Sequence, residues 1–233
     1  MLYTEFVFEF IVEENNFQAM GHPIIRKRKK GVCTMAVNFS ESKTKENLMR
    51  AFAGESQARN RYTIAAEKAR HAKMYTIANI FEYTADQERA HAERYYELLK
   101  DLSGETIFID GGYPVDQQES LAELLRAAEH NEKEEYEDVY QAFGDKAKEE
   151  GFLEAASVFY QIAKVEHVHQ LRFAKVAEML ENSTYFTREN GGRWICTNCG
   201  YIHEGTQAPR SCPTCHHDQG YFLPYEMAPY LIE

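Results

Sequence analysis

The sequence predicts a mainly α protein: a four-helix bundle followed by a small metal-held domain near the C-terminus. Three observations predict it. Glu-x-x-His occurs twice, as Glu88–His91 and Glu166–His169, in stretches that match around it: a Phe seven residues before the Glu (Phe81, Phe159), an Ala three before it (Ala85, Ala163) and an Arg three after the His (Arg94, Arg172). Each copy follows another acid, Glu55 at 33 residues before Glu88 and Glu132 at 34 before Glu166; Tyr62 comes seven residues after the first of these acids and Tyr140 eight after the second. The third observation is a set of four cysteines spaced Cys196-x-x-Cys199 and Cys212-x-x-Cys215.

The first helix is expected from Ser42 or Lys43 to His71, because Leu48, Phe52, Glu55, Arg59, Tyr62 and Ala66 recur at helical steps and Ser42 or Thr44 can cap it. The second runs from Met74 to Leu102, with Ile77, Ile80, Phe81, Ala85, Glu88, His91, Tyr95 and Leu98 on one stripe, and Ser103-Gly104 stops it. Residues 105–116 read as extended, punctuated by Gly111-Gly112 and Pro114. Such a stretch is long for a bundle connection and suits a crossover between two helix pairs. A third helix is expected from Gln118 or Ser120 to Glu149, broken by Gly151, and a fourth from Phe152 to Leu180. The bundle domain is therefore 42–181. Residues 182–192, ending in Gly191-Gly192, read as a linker, and 193–233 as the small domain with an apolar tail from Pro224. A unit that small buries little core and needs a metal to hold it.

The chain has 233 residues, 44% hydrophobic and 27% charged, with net charge −11. This is the composition of a soluble globular protein. The acidic balance argues against nucleic acid and anionic membranes as partners, and no apolar run approaches the roughly 20 residues of a spanning helix. Residues 1–41 differ from the rest. An apolar start is followed by Arg26-Lys27-Arg28-Lys29-Lys30, the reverse of the charge order in a secretory signal, so a cytoplasmic location is expected. The stretch is expected to lie outside the fold, and Met35 stands where a translation start would suit the domain. Cys33 is isolated from the other four cysteines.

Residues three apart share a helix face, so each Glu-x-x-His makes a two-ligand claw. Glu55, Glu88, Glu132 and Glu166 would then sit among Phe, Ile, Leu and Ala. Unpaired carboxylates are very costly there, and protons or cations must lie between them. One Glu from each of two helices plus two Glu-x-x-His pairs is the ligand set of ferritin-like di-iron carboxylate bundles. Carboxylate and imidazole donors suit iron or manganese before zinc. The third helix leaves a choice, since Glu129, Glu132 and Glu135 lie on one drifting stripe; the repeat picks Glu132 as the counterpart of Glu55, with Glu135 or Glu129 as an extra ligand. His130 and His167 fall off the stripe. Tyr62 and Tyr140 are either packed core residues or hydrogen-bond donors to a ligand carboxylate.

The two Cys-x-x-Cys knuckles define a tetrahedral four-sulfur cage for zinc or a single iron. Gly200 after the second cysteine lets the backbone curl so that N–H groups face the sulfur. Spacing alone leaves structural zinc and redox iron both open.

The chain resembles the rubrerythrin family over about residues 42–223. The stretches that carry the resemblance are Ala51-Phe52-Ala53-Gly54-Glu55-Ser56-Gln57-Ala58-Arg59-Asn60-Arg61-Tyr62, Thr84-Ala85-Asp86-Gln87-Glu88-Arg89 with His91, and Cys196-x-x-Cys199-Gly200-Tyr201-x-His203-Glu204-Gly205. The resemblance implies a ferritin-like di-iron bundle with a rubredoxin-like Fe(Cys)₄ domain, acting as a peroxidase that reduces hydrogen peroxide to water. It implies iron ligands at Glu55, Glu88, His91, Glu132, Glu135, Glu166 and His169, leaving Glu129 outside. It also implies that Glu135 and His91 exchange on one iron with redox state, and that Cys196, Cys199, Cys212 and Cys215 hold a single iron, or zinc as isolated. Electrons would come from rubredoxin or an NAD(P)H-dependent reductase. A homodimer or larger assembly would pair one subunit's four-cysteine domain with another's bundle. A ferroxidase of the same fold is the rival reading; its iron chemistry needs no electron inlet. The extension 1–41, the long connection 101–117 and the chain beyond Phe222 depart from the family pattern without touching a ligand.

Overall fold

A computed structural model describes residues 37–230. Most of the 1–41 extension, including Cys33, the basic run and Met35, lies outside the described residues. Five helices follow: α1 (Lys43–His71), α2 (Tyr75–Glu97), α3 (Leu121–Glu134), α4 (Tyr140–Glu150) and α5 (Leu153–Glu181). Ser42 caps α1, its side chain accepting from the Lys45 N–H. Ser120 and Glu123 form a reciprocal capping box at α3, a device that contributes about 1 kcal/mol. Gly151, at φ 92°, ends α4 in the left-handed conformation that glycine adopts without strain. The second helix is shorter than the sequence predicts. It stops at Glu97, and Lys100–Leu102 continue as a 3₁₀ turn.

The expected single helix over 118–149 is interrupted. Residues Glu135–Val139 form a π-turn between α3 and α4. Its cause can be read in the spacing. Glu55 and Tyr62 are seven residues apart, whereas Glu132 and Tyr140 are eight apart. In a continuous α-helix one extra residue would swing everything after it by about 100°, at 3.6 residues per turn. A π-turn absorbs that residue, so both Glu132 and Tyr140 remain buried.

Helix α1 packs on α2, and α3 and α4 pack on α5. Two apolar clusters fill the bundle. One gathers Tyr62, Ile77, Phe81, Leu125 and Phe173; the other gathers Leu48, Tyr95, Tyr140, Phe159 and Ile162. In sequence, Glu55, Glu88, Glu132 and Glu166 fall between the members of these clusters on their respective helices, so the acids form a layer across the bundle's middle. The crossover, as expected, is extended. Arg50 pairs with Asp110 and Arg61 with Asp116, and Asn131 donates to Asp116, so the strap is tied to α1 and α3.

The C-terminal unit is a three-stranded antiparallel sheet of order β2-β1-β3, with β1 at Thr187–Cys196, β2 at Ile202–Gln207 and β3 at Phe222–Pro224. Much of the predicted linker is therefore strand. Thr187 pairs with Gln207, and an irregularity between Thr187 and Gly192 takes up Gly191 at φ 82°. The glycines signalled a bulge in a long strand. The sheet unit rests on the α1–α2 turn. Tyr185 is buried and its hydroxyl meets that of Thr76 at 2.9 Å, Tyr75 stacks on Tyr221 at 4.3 Å, and a Cβ at Gly220 would lie 1.7 Å from the Lys73 carbonyl oxygen. The start of the apolar tail also has a place: Pro224 pairs with Trp194, and Met227 packs against the Phe81 cluster.

Candidate metal centre

Helices α1, α2, α3 and α5 each deliver one carboxylate to the buried layer, and α2 and α5 each add an imidazole one turn on. Two four-residue groups result, Glu55–Glu88–His91–Glu166 and Glu88–Glu132–Glu166–His169, each with its donor atoms within 4.8 Å of one another. Glu88 and Glu166 belong to both. Glu166 turns Oε1 to His91 Nδ1 at 2.9 Å and Oε2 to His169 Nδ1 at 2.8 Å. Glu88 does the same with opposite oxygens, Oε2 to His91 at 3.2 Å and Oε1 to His169 at 3.0 Å. Glu55 stands at the His91 end, 3.8 Å from its Nδ1, and Glu132 at the His169 end, 3.4 Å from its Nδ1. The imidazole rings face each other at 5.7 Å and 20°.

This arrangement has the form of two adjacent cation positions that share two carboxylates. The hydrogen bonding fits the same reading. Buried oxygens of all four acids, Glu55 Oε2, Glu88 Oε1, Glu132 Oε2 and both of Glu166, have no hydrogen-bond partner, nor does His169 Nδ1. That nitrogen lies close to three carboxylates without hydrogen-bond geometry to any, as expected of donor atoms converging on a common point. Its ring is oriented from the other side. His169 Nε2 lies 3.1 Å from Gln87 Oε1, which also accepts from Arg172. The amide oxygen can only accept, so Nε2 carries the proton and Nδ1 keeps its lone pair for a metal.

Left to themselves, these groups compete for protons. Burial and then the Glu88 charge push the Glu132 carboxyl up to about 8. Burial, then Glu166 and Glu88, hold Glu55 well above the carboxylate range. Burial also opposes the charged form of Glu88, but the His169 and His91 imidazoles beside it take it down to about 2. For the imidazoles burial works downward and the surrounding carboxylates more than reverse it, raising His91 to about 9 and His169 to about 12. Four carboxylates carry −4, and two divalent cations balance that charge without protons.

The tyrosines donate to carboxylates, and each serves the acid of the other repeat. Tyr140 donates to Glu55 Oε1 at 2.6 Å, and Tyr62 donates to Glu132 Oε1. Glu135 is not brought into either four-residue group. It lies half-buried in the π-turn, its carboxyl held well above its ordinary range by desolvation and then by the charges of Glu132 and Glu166. It lines a cavity of about 250 Å³ with Tyr140, Tyr113 and Gly54. Glu129 pairs outward with Arg126, and His130 is exposed; His167 stacks on Tyr136. The repeat does not single out Gln87, because its counterpart in the second copy is Val165. Arg172 was visible as the Arg three after the His, but only the fold turns it inward to Thr84 and Gln87 while its counterpart Arg94 pairs outward with Glu97 and Glu154.

The four cysteines converge, with donor atoms within 4.8 Å of one another and Sγ–Sγ distances of 3.7 Å for Cys196–Cys215 and Cys199–Cys212. The residue after the second cysteine of each knuckle is left-handed, Gly200 at φ 78° and His216 at φ 61°. The next N–H, that of Tyr201 or His217, favours the thiolate; the Cys215 thiol drops to about 6, whereas desolvation and the neighbouring thiols still push Cys199 up to about 12.

Comparison with known proteins agrees with these two sites. The family profile described as Rubrerythrin matches residues 46–177, and the profile of the rubrerythrin rubredoxin-like domain matches 194–223. A rubrerythrin of Clostridium perfringens is 45% identical over 182 residues, 78% of this chain and 93% of that protein. A rubrerythrin of Porphyromonas gingivalis is 45% identical over 190 residues, 82% of this chain and 94% of that protein. Among solved structures, fully reduced, all-ferrous nigerythrin aligns with TM-score 0.54 and 31% identity, covering 83% of this chain and 96% of that one. A ferritin-like di-iron site and a four-cysteine rubredoxin-like site are consistent with that kinship, and the donor sets fit both. Fold, paired metal-binding sets and relatives thus agree, and the chain belongs to the rubrerythrin family.

Proposed function

We propose that the protein is a di-iron peroxidase that reduces hydrogen peroxide to two waters with electrons relayed through the four-cysteine site. The observation that carries this reading is the pair of carboxylate–imidazole groups sharing Glu88 and Glu166, in one chain with a four-cysteine site. Glu55, Glu88, His91, Glu132, Glu166 and His169 would hold two irons, and Cys196, Cys199, Cys212 and Cys215 one more. When bound as ferrous ions, the bundle pair would supply the two electrons needed to reduce the O–O bond.

The protein's own groups do the rest. Tyr62 and Tyr140 hold the outer acids Glu132 and Glu55 by hydrogen bonds and fix the oxygen each turns inward. Gln87 fixes the His169 tautomer. Glu135, half-buried at the cavity wall and inclined to keep its proton, is the group to deliver protons to the departing oxygens. Glu135 and His91 are the pair expected to alternate as ligands; His91 stands inside the cluster and Glu135 outside it, with the π-turn as the loosened backbone for the exchange. An external rubredoxin or NAD(P)H-dependent reductase refills the four-cysteine site one electron at a time, in a cytoplasmic homodimer or larger assembly. The ferroxidase alternative leaves the four-cysteine domain without a task.

Peroxide added to the anaerobically reduced protein tests this. One peroxide per two bundle irons oxidised, and NADH consumption through a reductase, are expected; absence of peroxide-dependent NADH consumption overturns it. Cys199→Ser should spare the single oxidation and stop steady turnover.

A further inference from the structure

The cavity beside Glu135 is larger than hydrogen peroxide requires. Its volume is about 250 Å³, its inner wall carries Glu135 and Tyr140, and Tyr140 donates to Glu55. An apolar cavity of about 150 Å³ already holds benzene, and a water's share of liquid volume is about 30 Å³. The rest of the lining is mixed: Tyr113, Val139 and Phe143 give it an apolar part, beside Arg50, Gln57 and Asn131. Two features keep it open. Gly54 adds no side chain: a Cβ there would meet only Tyr113 Cε1, at 3.8 Å. Tyr113 is folded over Gly111, where a Cβ would sit 3.1 Å from its hydroxyl, and that hydroxyl donates to the Arg50 carbonyl at 3.3 Å. The matching place in the other half, lined by Tyr62, Asp116 and Leu124, has a volume of only about 20 Å³.

We infer that this pocket is a subsite for the organic group of small alkyl hydroperoxides, with Gly54 and Tyr113 setting the size admitted. The hydroperoxide end points to the acid layer and the alkyl group rests on Tyr113, Val139 and Phe143. The reaction is ROOH + 2 e⁻ + 2 H⁺ → ROH + H₂O. The O–O bond breaks, each oxygen is reduced, the two electrons come from the reduced two-iron centre of the peroxidase reading, on which this inference rests, and the two protons come from solvent by way of Glu135.

The test compares kcat/KM for tert-butyl hydroperoxide with that for hydrogen peroxide in the iron-loaded full chain. The wild type should turn over both. Gly54→Val, which fills the pocket, should lower the ratio of the alkyl to the hydrogen peroxide constant about tenfold or more. Tyr113→Ala, on the exposed strap, should raise the ratio for the bulkier cumene hydroperoxide. A second readout needs no turnover: saturation-transfer NMR with tert-butanol, the product alcohol, on the zinc-loaded full chain should show binding in the wild type and none in Gly54→Val. Turnover of hydrogen peroxide alone, or equal tert-butanol signals in both proteins, overturns the subsite and leaves the peroxidase reading standing. Failure with both peroxides overturns the peroxidase reading and the alkyl activity together.

Discussion

The two halves of the bundle repeat one another at the acids and differ around them. Glu55, Tyr62, Glu88 and His91 in the first half answer to Glu132, Tyr140, Glu166 and His169 in the second. The tyrosines even cross over symmetrically, each holding the other half's acid. Around that frame, α1 runs unbroken past Glu55 while a π-turn follows Glu132. Tyr95 in the first half has Phe173 in the second, and the Tyr95 hydroxyl is buried without a partner. The cavity next to Tyr140 is about 250 Å³, and that next to Tyr62 about 20 Å³. The symmetric part is what charge balance for two cations demands, since neither position can be left with unpaired acids. On the proposed peroxidase reading the asymmetric part serves the reaction, because a substrate must approach from one side.

The largest expected effect breaks the symmetric frame. Glu166 serves both positions, so Glu166→Ala should abolish the bundle's metal pair and peroxide turnover while helical content survives. Iron per chain, circular dichroism and peroxide assays measure this; retained turnover would remove Glu166 from the ligand set. Next comes the asymmetry itself. Deleting Asp138, exposed in the π-turn, should restore a continuous α-helix with both cations bound, leave the thermal midpoint unchanged or higher, and lower peroxide turnover about 10²-fold as Glu135 loses its placement. A midpoint that falls steeply would mean that the turn serves the fold.

A smaller effect separates the tyrosines. Tyr140→Phe and Tyr62→Phe each remove a hydrogen bond to a buried carboxylate, worth about 1.5–3 kcal/mol where the acceptor is charged. Turnover should fall about tenfold in Tyr140→Phe, beside the cavity, and less in Tyr62→Phe. Equal losses would erase the distinction between the halves.

The smallest effect is on stability and pH in metal-free protein. Glu132 keeps its proton up to about 8 when folded and loses it near 4.5 when unfolded; His91 does so at about 9 against 6.5. Their contributions are full below those ordinary values and fade as pH rises through the folded ones. Glu88 acts in the opposite direction, its contribution being lost only as pH falls from 4.5 towards 2. The thermal midpoint of the metal-free chain should therefore decline between pH 6.5 and 9, by a few degrees per kcal/mol lost. Metal-loaded protein should stay flat there, because cations replace the protons. A flat metal-free profile would refute the raised Glu132 and His91.

Much of the site was legible because helical spacing converts directly into shared faces. Glu88 with His91, Glu166 with His169 and the two cysteine knuckles needed only their intervals, and the extra residue between Glu132 and Tyr140 already carried the π-turn, although the stretch read as one helix. What resisted reading was whatever depends on partners far away in the chain. Gln87 sits next to Glu88, yet its role comes from His169, and Asp116 matters because the strap brings it to Arg61 and Asn131. Gly191-Gly192 read as linker because a bulged strand and a loop use the same residues.

By itself, then, the amino-acid order determined that four acids and two imidazoles lie on the inner faces of four helices and that four thiols converge, since local periodicity fixes which side chains look the same way. Only the folded chain decided which tyrosine holds which acid, which carboxylates are shared, and on which side the layer opens. Those choices arise where separate helices meet, and no interval within one helix encodes the distance to another.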